Sequence, residues 1–255
     1  MKGERRVSVE NKVVLVTGSS QGIGRATAEA FLAAGARVVF AARSADKLEA
    51  ATGAHGERAH AVPCDVSDPA SVDALFVEIE REFGRLDVVF NNAGANVPAV
   101  ETGDLEFEDW RRVVSVNLDG AFLIARGAYR LMRAQDPKGG RIINNGSISA
   151  YAPRLGSVAY TASKHGISGL TKTISLDGRK HDIACSQIDI GNAASDMTAR
   201  MSQGVPQADG SMKVEPVMDV AHVADAVVSM AALPLDVNIQ FMTIMATKMP
   251  FVGRG

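Results

Sequence analysis

The sequence predicts a single doubly wound α/β domain, with about seven parallel strands in one sheet and helices on both of its faces. Short apolar runs rich in β-branched residues alternate with segments of helical period along the whole chain, an order that pairs strands in parallel through right-handed crossovers. The strand runs read as continuously apolar, as expected where both faces of a sheet are covered. No repeat, low-complexity tract or linker divides the 255 residues, a length that a single α/β domain accommodates.

Residues 1–10 carry charges without an apolar run and are expected to form a mobile, flexible arm, with the single domain spanning 11–255. Lys12 to Thr17 is a buried strand. Gly22 to Ala34 has helical spacing, with Ile23, Ala26, Thr27, Ala30 and Phe31 on one side, and Gly35 ends it. Arg37 to Ala41 is a second strand, Asp46 to Ala51 a short helix, and Arg58 to Cys64 a third strand. Asp68 caps a helix that Pro69 opens and that runs to Phe83. Leu86 to Asn91 is a fourth strand, Phe107 to Met132 one long helix, and Arg141 to Ser147 a fifth strand. A helix from about Ser157 to Lys180 precedes a sixth strand, Asp182 to Ile190. Val220 to Ala232 is a helix and Asn238 to Met245 a last strand. The intervening residues 192–216 contain Ser, Gly, Gln and Met without a strong period. A long irregular insert at the carboxyl end of a strand is commonly a lid or substrate loop.

Composition narrows the function classes. Lys and Arg number 27 against 29 Asp and Glu, a formal charge of −2. That balance makes no electrostatic case for nucleic acid or an anionic membrane as partner. No apolar run approaches the roughly 18 residues of a membrane span, and the default location is cytoplasmic. Cys64 and Cys185 alone cannot build a disulfide framework or a zinc cage and are expected in the core. His55, His60, His165, His181 and His222 lack ligand spacing, so no metal is expected.

In an open α/β sheet, ligands bind outside the carboxyl ends of the strands. Those ends here carry Gly18 to Gly24, then Arg43, Asp65, Asn91 to Gly94, Gly146 with Ser147, and Gly191 with Asn192. Polar or glycine residues therefore converge on one crevice, the pattern of a Rossmann-type domain. Gly18, Gly22 and Gly24 follow a strand and open a helix. They allow positive φ and close backbone approach to a pyrophosphate, while the helix end supplies free N–H groups. Where an acid would bond the ribose 2′-hydroxyl of NAD, this chain has Arg43, with Lys47 a turn further on. The arginine fork suits a 2′-phosphate and favours NADP(H). NAD(H) stays possible if Arg43 faces solvent or stacks on adenine.

Tyr160 and Lys164 stand four apart on a predicted helix and share a face. A neighbouring ammonium is expected to lower the phenol pKa, making Tyr160 a proton donor to a carbonyl or an acceptor from an alcohol. The pair alone is a weak signal, since a surface tyrosine beside a long lysine gives the same spacing. Ser147, at a strand end, offers a hydroxyl to a substrate oxygen.

Taken together, Thr17-Gly18-Ser19-Ser20-Gln21-Gly22-Ile23-Gly24, Asn91-Asn92-Ala93-Gly94, Asn117, Ser147 and Tyr160-Thr161-Ala162-Ser163-Lys164 resemble the short-chain dehydrogenase/reductase family in order and spacing, from about Asn11 to Ser195. The resemblance implies an NAD(P)-dependent enzyme acting on CH–OH or C=O groups. In it Tyr160 is the general acid/base, Lys164 lowers the tyrosine pKa and holds the nicotinamide ribose, Ser147 orients the substrate carbonyl, and Asn117 positions a water of the proton relay. It places Asp65 on the adenine with Val66 beside it, and Asn92, Ala93 and Gly94 along the nucleotide with Ser20, Gln21 and Ile23. It puts Ile190, Gly191 and Ser195 near the nicotinamide. Ile190 stands where the family usually has proline, and the family's usual Asp-Gly-Gly is missing from the tail, which runs from Asn238 to Pro250. On this reading the substrate is a small ketone, aldehyde, keto or hydroxy acid, or secondary alcohol. A 3-oxoacyl carrier-protein reductase is a narrower alternative, and a non-catalytic dinucleotide-binding regulatory protein a distant one. Ala162, Gly166 and Gly169 form a stripe of small residues suited to close packing, within the chain or across a homotetramer or homodimer interface.

Overall fold

A computed structural model of the chain describes residues 8–194, 204–207 and 209–252. The central sheet has seven strands in the order β3-β2-β1-β4-β5-β6-β9, all paired in parallel. The strands are β1 (Val13–Thr17), β2 (Arg37–Ala42), β3 (Ala59–Pro63), β4 (Val88–Asn91), β5 (Gly140–Asn145), β6 (Ile183–Ile190) and β9 (Phe241–Ile244). The order reverses between β1 and β4, the switch point at which crossovers leave to opposite faces and open a crevice.

Alternation along β1 shows how the two faces form. Val14 and Val16 enter a core shared with α1 (Gly22–Ala33) and α7 (Val220–Ala232), whereas Val13 and Leu15 enter one with α3 (Pro69–Phe83) and α5 (Gly120–Ala134). Because both faces are packed, the strand reads as an unbroken apolar run. Val9 is buried in the first of these cores, so packing starts before Asn11 and the expected mobile arm is too long at that end; residues 1–7 lie outside the described residues. Asp68 caps α3 by accepting from Ala70 N–H and Ser71 N–H at 3.2 and 3.1 Å, with Pro69 at the first position.

One expected element is broken. The long helix over 107–132 is α4 (Phe107–Val114), a π-helical turn over Ser115–Asp119, and α5. Such widened turns recur at functional sites. Asn117 within it bonds backbone outside its own helix, and Gly120 lies against Val66 so closely that a Cβ would sit 2.8 Å from a Val66 methyl.

Two short antiparallel strands, β7 (Val205–Pro206) and β8 (Met212–Lys213), form a hairpin within the expected lid. Cys64 and Cys185 are buried and unpaired. Gly166, on α6 (Val158–Gly178), packs on Leu118 of the same chain, whereas nothing lies within 4 Å of a Cβ built on Gly169.

Arg141, fully buried in β5, binds the loop leading to β9 through the Asn238 side chain and the Val237 carbonyl, each at 2.7 Å, and the Pro234 carbonyl at 3.1 Å. Arg141→Met is expected to take this donor from the Val237 carbonyl, while Asn238 Oδ1 keeps the Ser186 hydroxyl and the Pro234 carbonyl keeps Val237 N–H, and to lower stability by about 1–3 kcal/mol, read as a lower urea midpoint at unchanged slope.

Candidate active site

The carboxyl ends of β1, β2, β4, β5 and β6 open into a single cavity of about 750 Å³, the size of a small-molecule or cofactor site. At one wall is the β1–α1 turn. Gly18 and Gly22 hold φ values of +66° and +56°, a region that favours glycine. A Cβ on Gly24 would fall 2.3 Å from the Gly18 carbonyl oxygen. Gln21 makes no side-chain cap to α1, so the first N–H groups of that helix lack a side-chain cap where Gly22, Ile23 and Gly24 line the cavity. A turn with no room for a side chain at Gly18 or Gly24, next to uncapped N–H groups, fits a pyrophosphate.

Hydrogen bonds tie the strand ends into one wall. Thr17 Oγ1 accepts from the N–H groups of Asn92 and Ala93 at 2.9 and 3.0 Å, and Asn92 Nδ2 donates to the Thr17 carbonyl at 2.9 Å. Asn145 Nδ2 donates to Asn92 Oδ1 at 2.9 Å. Gly94 and Ser20 line the cavity with them. At the far end stand Arg43, Lys47, Asp65 and Val66. Asp65 Oδ1 accepts from the Ser67 hydroxyl at 2.7 Å and from Ser67 N–H at 2.9 Å. These bonds, the hydroxyl foremost, with the Arg43 charge, outweigh burial and hold the carboxyl below the usual range.

Ser147, Tyr160 and Lys164 line the same cavity, beside Ile190 and Gly191. Ser147 Oγ accepts from Ser149 N–H at 3.1 Å, which fixes its rotamer. Lys164 is 4% exposed. Its Nζ donates to the Asn145 carbonyl at 2.7 Å and lies 5.5 Å from the centre of the Tyr160 ring. Burial draws the ammonium down to about 8, with the Asp189 charge opposing. The Tyr160 phenol is pushed up by burial, opposed by a hydrogen bond with Ser147. This direction is opposite to the expected lowering: burial disfavours the phenolate, and the Lys164 ammonium bonds the Asn145 carbonyl instead of the phenol.

Asn117 sits behind the wall rather than on it. Its Oδ1 accepts from Ala95 N–H at 2.7 Å, while Nδ2 donates to the Ala95 carbonyl at 2.9 Å and to Ser163 Oγ at 3.2 Å. The side chain thereby fastens the segment after β4 to α6. Ser195 lies outside the described residues.

Sequence reasoning missed Asn145, Arg154 and Asp189. Arg154 lines the cavity and makes a two-pronged pair with Glu215, at 2.9 and 2.6 Å, and a bond to Asn192 Oδ1 at 3.0 Å. Asp189 is completely buried in β6. A signal existed: Gln187 and Asp189 alternate with Ile188 and Ile190, a period of two inside a run read as continuously apolar.

A glycine turn at the switch point of a doubly wound sheet, with serine, tyrosine and lysine at the other end of one crevice, defines the class of nicotinamide-dependent oxidoreductases. The short chain dehydrogenase family profile matches residues 12–206. A 3beta-hydroxysteroid dehydrogenase of Mediterraneibacter gnavus is 36% identical over 199 residues, 77% of this chain and 71% of that protein. A 3-oxoacyl-[acyl-carrier-protein] reductase of Synechocystis is 36% identical over 195 residues, 75% of this chain and 78% of that protein. Among solved structures, a 3-ketoacyl-(acyl-carrier-protein) reductase of Brucella melitensis complexed with NADH shares the fold with a TM-score of 0.85 at 24% identity, covering 94% of this chain and 99% of that one. A short-chain type dehydrogenase/reductase of Mycobacterium marinum aligns with a TM-score of 0.82 at 25% identity, over 93% and 95%. The chain belongs to the short-chain dehydrogenase family, NAD(P)-binding oxidoreductases that act on carbonyl and hydroxyl groups. Among the described residues no helix is long and apolar enough to cross a membrane.

Proposed function

We propose that the protein is an NADP(H)-dependent oxidoreductase that interconverts a neutral ketone or aldehyde and its alcohol. The observation that carries this reading is the convergence of Ser147, Tyr160 and Lys164 on the cavity that the glycine turn enters. When bound, the nicotinamide ring gives or takes the hydride. The chain's own residues do the rest. Gly18, Gly22 and the α1 N-terminus would hold the pyrophosphate, Asp65 and Val66 would border the adenine, and Lys164 would hold the nicotinamide ribose. The Ser147 and Tyr160 hydroxyls bind the substrate oxygen, and Tyr160 delivers or removes its proton. A phenol kept protonated by burial suits the reducing direction, in which it must donate. Asn117 holds the wall in place.

Arg154 supports a neutral substrate. Both prongs of its guanidinium are engaged, and burial of Glu215 is overcome by bonds from Arg154, Asn192 and Gln207 that bring its carboxyl down to about 2. Glu215 neutralises the Arg154 charge, so the pair offers an acid substrate no net positive charge. The relatives named for hydroxysteroids and 3-oxoacyl groups both handle a ketone or secondary alcohol. Absorbance of the reduced nicotinamide, followed across a panel of carbonyls and alcohols with both cofactors, tests the proposal. Turnover only on keto acids would contradict it.

Arg43 supports NADP(H), since its side chain is an exposed cation at the cavity's far end, close enough to act on Asp65. Arg43→Asp is expected to cut kcat/KM with NADPH by roughly 10- to 100-fold, the worth of a charge-assisted bond, and to leave NADH use level or improved. Equal losses with both cofactors would refute the assignment. A homotetramer or homodimer through α5 and α6 is supported by the exposed Phe122 on α5 and by the exposed Leu176 and open Gly169 on α6. A monomer mass by light scattering would remove that part.

A further inference from the structure

We propose that Asp189 is a positioning residue of the active site, whose carboxyl group holds the Ser147 backbone and sets the electrostatic surroundings of the buried Lys164 side chain. The inference rests on the reading of Tyr160 and Lys164 as the proton-transfer pair.

Asp189 is a completely buried carboxyl that three hydrogen-bond donors surround. Oδ1 accepts from Gln187 Nε2 at 2.7 Å and from Ser147 N–H at 3.0 Å, while Oδ2 accepts from the Tyr151 hydroxyl at 2.9 Å. Burial is the larger influence and raises the carboxyl above its usual range, while the three donors and the Lys164 charge favour the ionised form. Space for the carboxylate comes from Gly146, where a Cβ would lie 2.1 Å from Oδ1. Gln187 is itself held by the hydroxyls of Ser168 and Thr171 on α6, at 3.0 and 3.1 Å. The carboxylate is therefore locked between β6, the turn after β5 and the helix that carries Tyr160 and Lys164.

Lys164 is the complementary problem: a buried cation whose hydrogen bond goes to the neutral Asn145 carbonyl. From α6 it meets the Tyr160 ring, from β5 that carbonyl, and from β6 the Asp189 charge. Among the described residues Asp189 is the charged group acting on Lys164, and Lys164 the charged group acting on Asp189. Burial brings this ammonium down to about 8 even with the Asp189 charge opposing, so removing that charge is expected to lower it further. The same carboxylate bonds Ser147 through the main chain, so one buried anion orients the residue that binds the substrate oxygen and sustains the charge beside the tyrosine.

Asp189→Asn separates charge from shape. The amide oxygen can keep the Ser147 and Gln187 donors, and the amide nitrogen can donate to the Tyr151 oxygen. The chain is labelled at lysine Cε with carbon-13, Lys164 is identified by its loss in Lys164→Arg, and wild type and Asp189→Asn are titrated through neutral and alkaline pH without substrate. The Lys164 midpoint is expected to fall by about one pH unit or more in the variant, the effect of removing a nearby opposite charge. On the most active carbonyl of the panel, the alkaline limb of reductive kcat is expected to move down with it, with turnover partly restored at lower pH. An unmoved midpoint overturns the proposal, as does a loss of kcat equal at every pH. If the variant does not fold, the Asp189 carboxyl is titrated in the wild type: ionisation below neutrality supports the proposal, and a carboxyl still protonated at neutral pH overturns it. A wild type inactive on every carbonyl and alcohol refutes the proposed function instead, since the Lys164 midpoint is read without turnover.

Discussion

Tyr160→Phe is expected to lower kcat by roughly 100- to 10,000-fold in both directions, the range for removal of a general acid or base. The change takes away one oxygen and leaves the ring on which the Lys164 ammonium sits, 5.5 Å from its centre. Ser147 loses a hydrogen-bond partner, but its hydroxyl stays fixed by Ser149 N–H. Cofactor affinity, measured by fluorescence of the bound reduced nicotinamide, is expected to stay within a few-fold of wild type, because a loss confined to the transition state appears in kcat rather than in binding. A variant that keeps a tenth or more of wild-type turnover would remove Tyr160 from the chemistry and leave Ser147 as the proton carrier to test next.

The second large effect is expected from Gly24→Val. Even a single Cβ there meets the Gly18 carbonyl oxygen at 2.3 Å and Asn92 Nδ2 at 2.5 Å. Neither neighbour yields readily: the first is main chain, and the second is an amide bonded to the Thr17 carbonyl. The helix must move away from the turn, which separates the α1 N–H groups from the place a pyrophosphate would occupy. We expect a stability loss of about 1–3 kcal/mol, as for overpacking in general, and dinucleotide binding weakened by at least tenfold. Calorimetric titration with NADPH and NADH, alongside a urea melt, separates the two effects. Unchanged affinity for both cofactors would show that the turn is structural and that the dinucleotide lies elsewhere.

Much of this site is legible in the residues themselves because its parts are local. The glycine turn, the Asp68 cap of α3 and the Tyr160–Lys164 spacing each lie within one turn or one helix, where neighbours along the chain are neighbours in space. The long helix over 107–132 was not legible in detail. Its apolar period continues through Ser115–Asp119, and the widening there goes with bonds from Asn117 to Ala95, 22 residues away. Val9 likewise carries no local sign that it belongs to the core, since its burial depends on where α1 and α7 pack.

By itself the sequence determined the alternation of strands and helices, the parallel doubly wound sheet, and the identities of the serine, tyrosine, lysine and glycines at its strand ends. These follow from short-range periodicity and backbone preference. Only the tertiary structure decided the electrostatics: that burial raises Tyr160, that Lys164 meets a carbonyl on β5 and a carboxylate on β6, and that Arg154 is neutralised by Glu215 from 61 residues away. A charge in a low-dielectric interior is governed by whatever the pleat and the register bring within a few ångströms, and those partners are scattered along the chain.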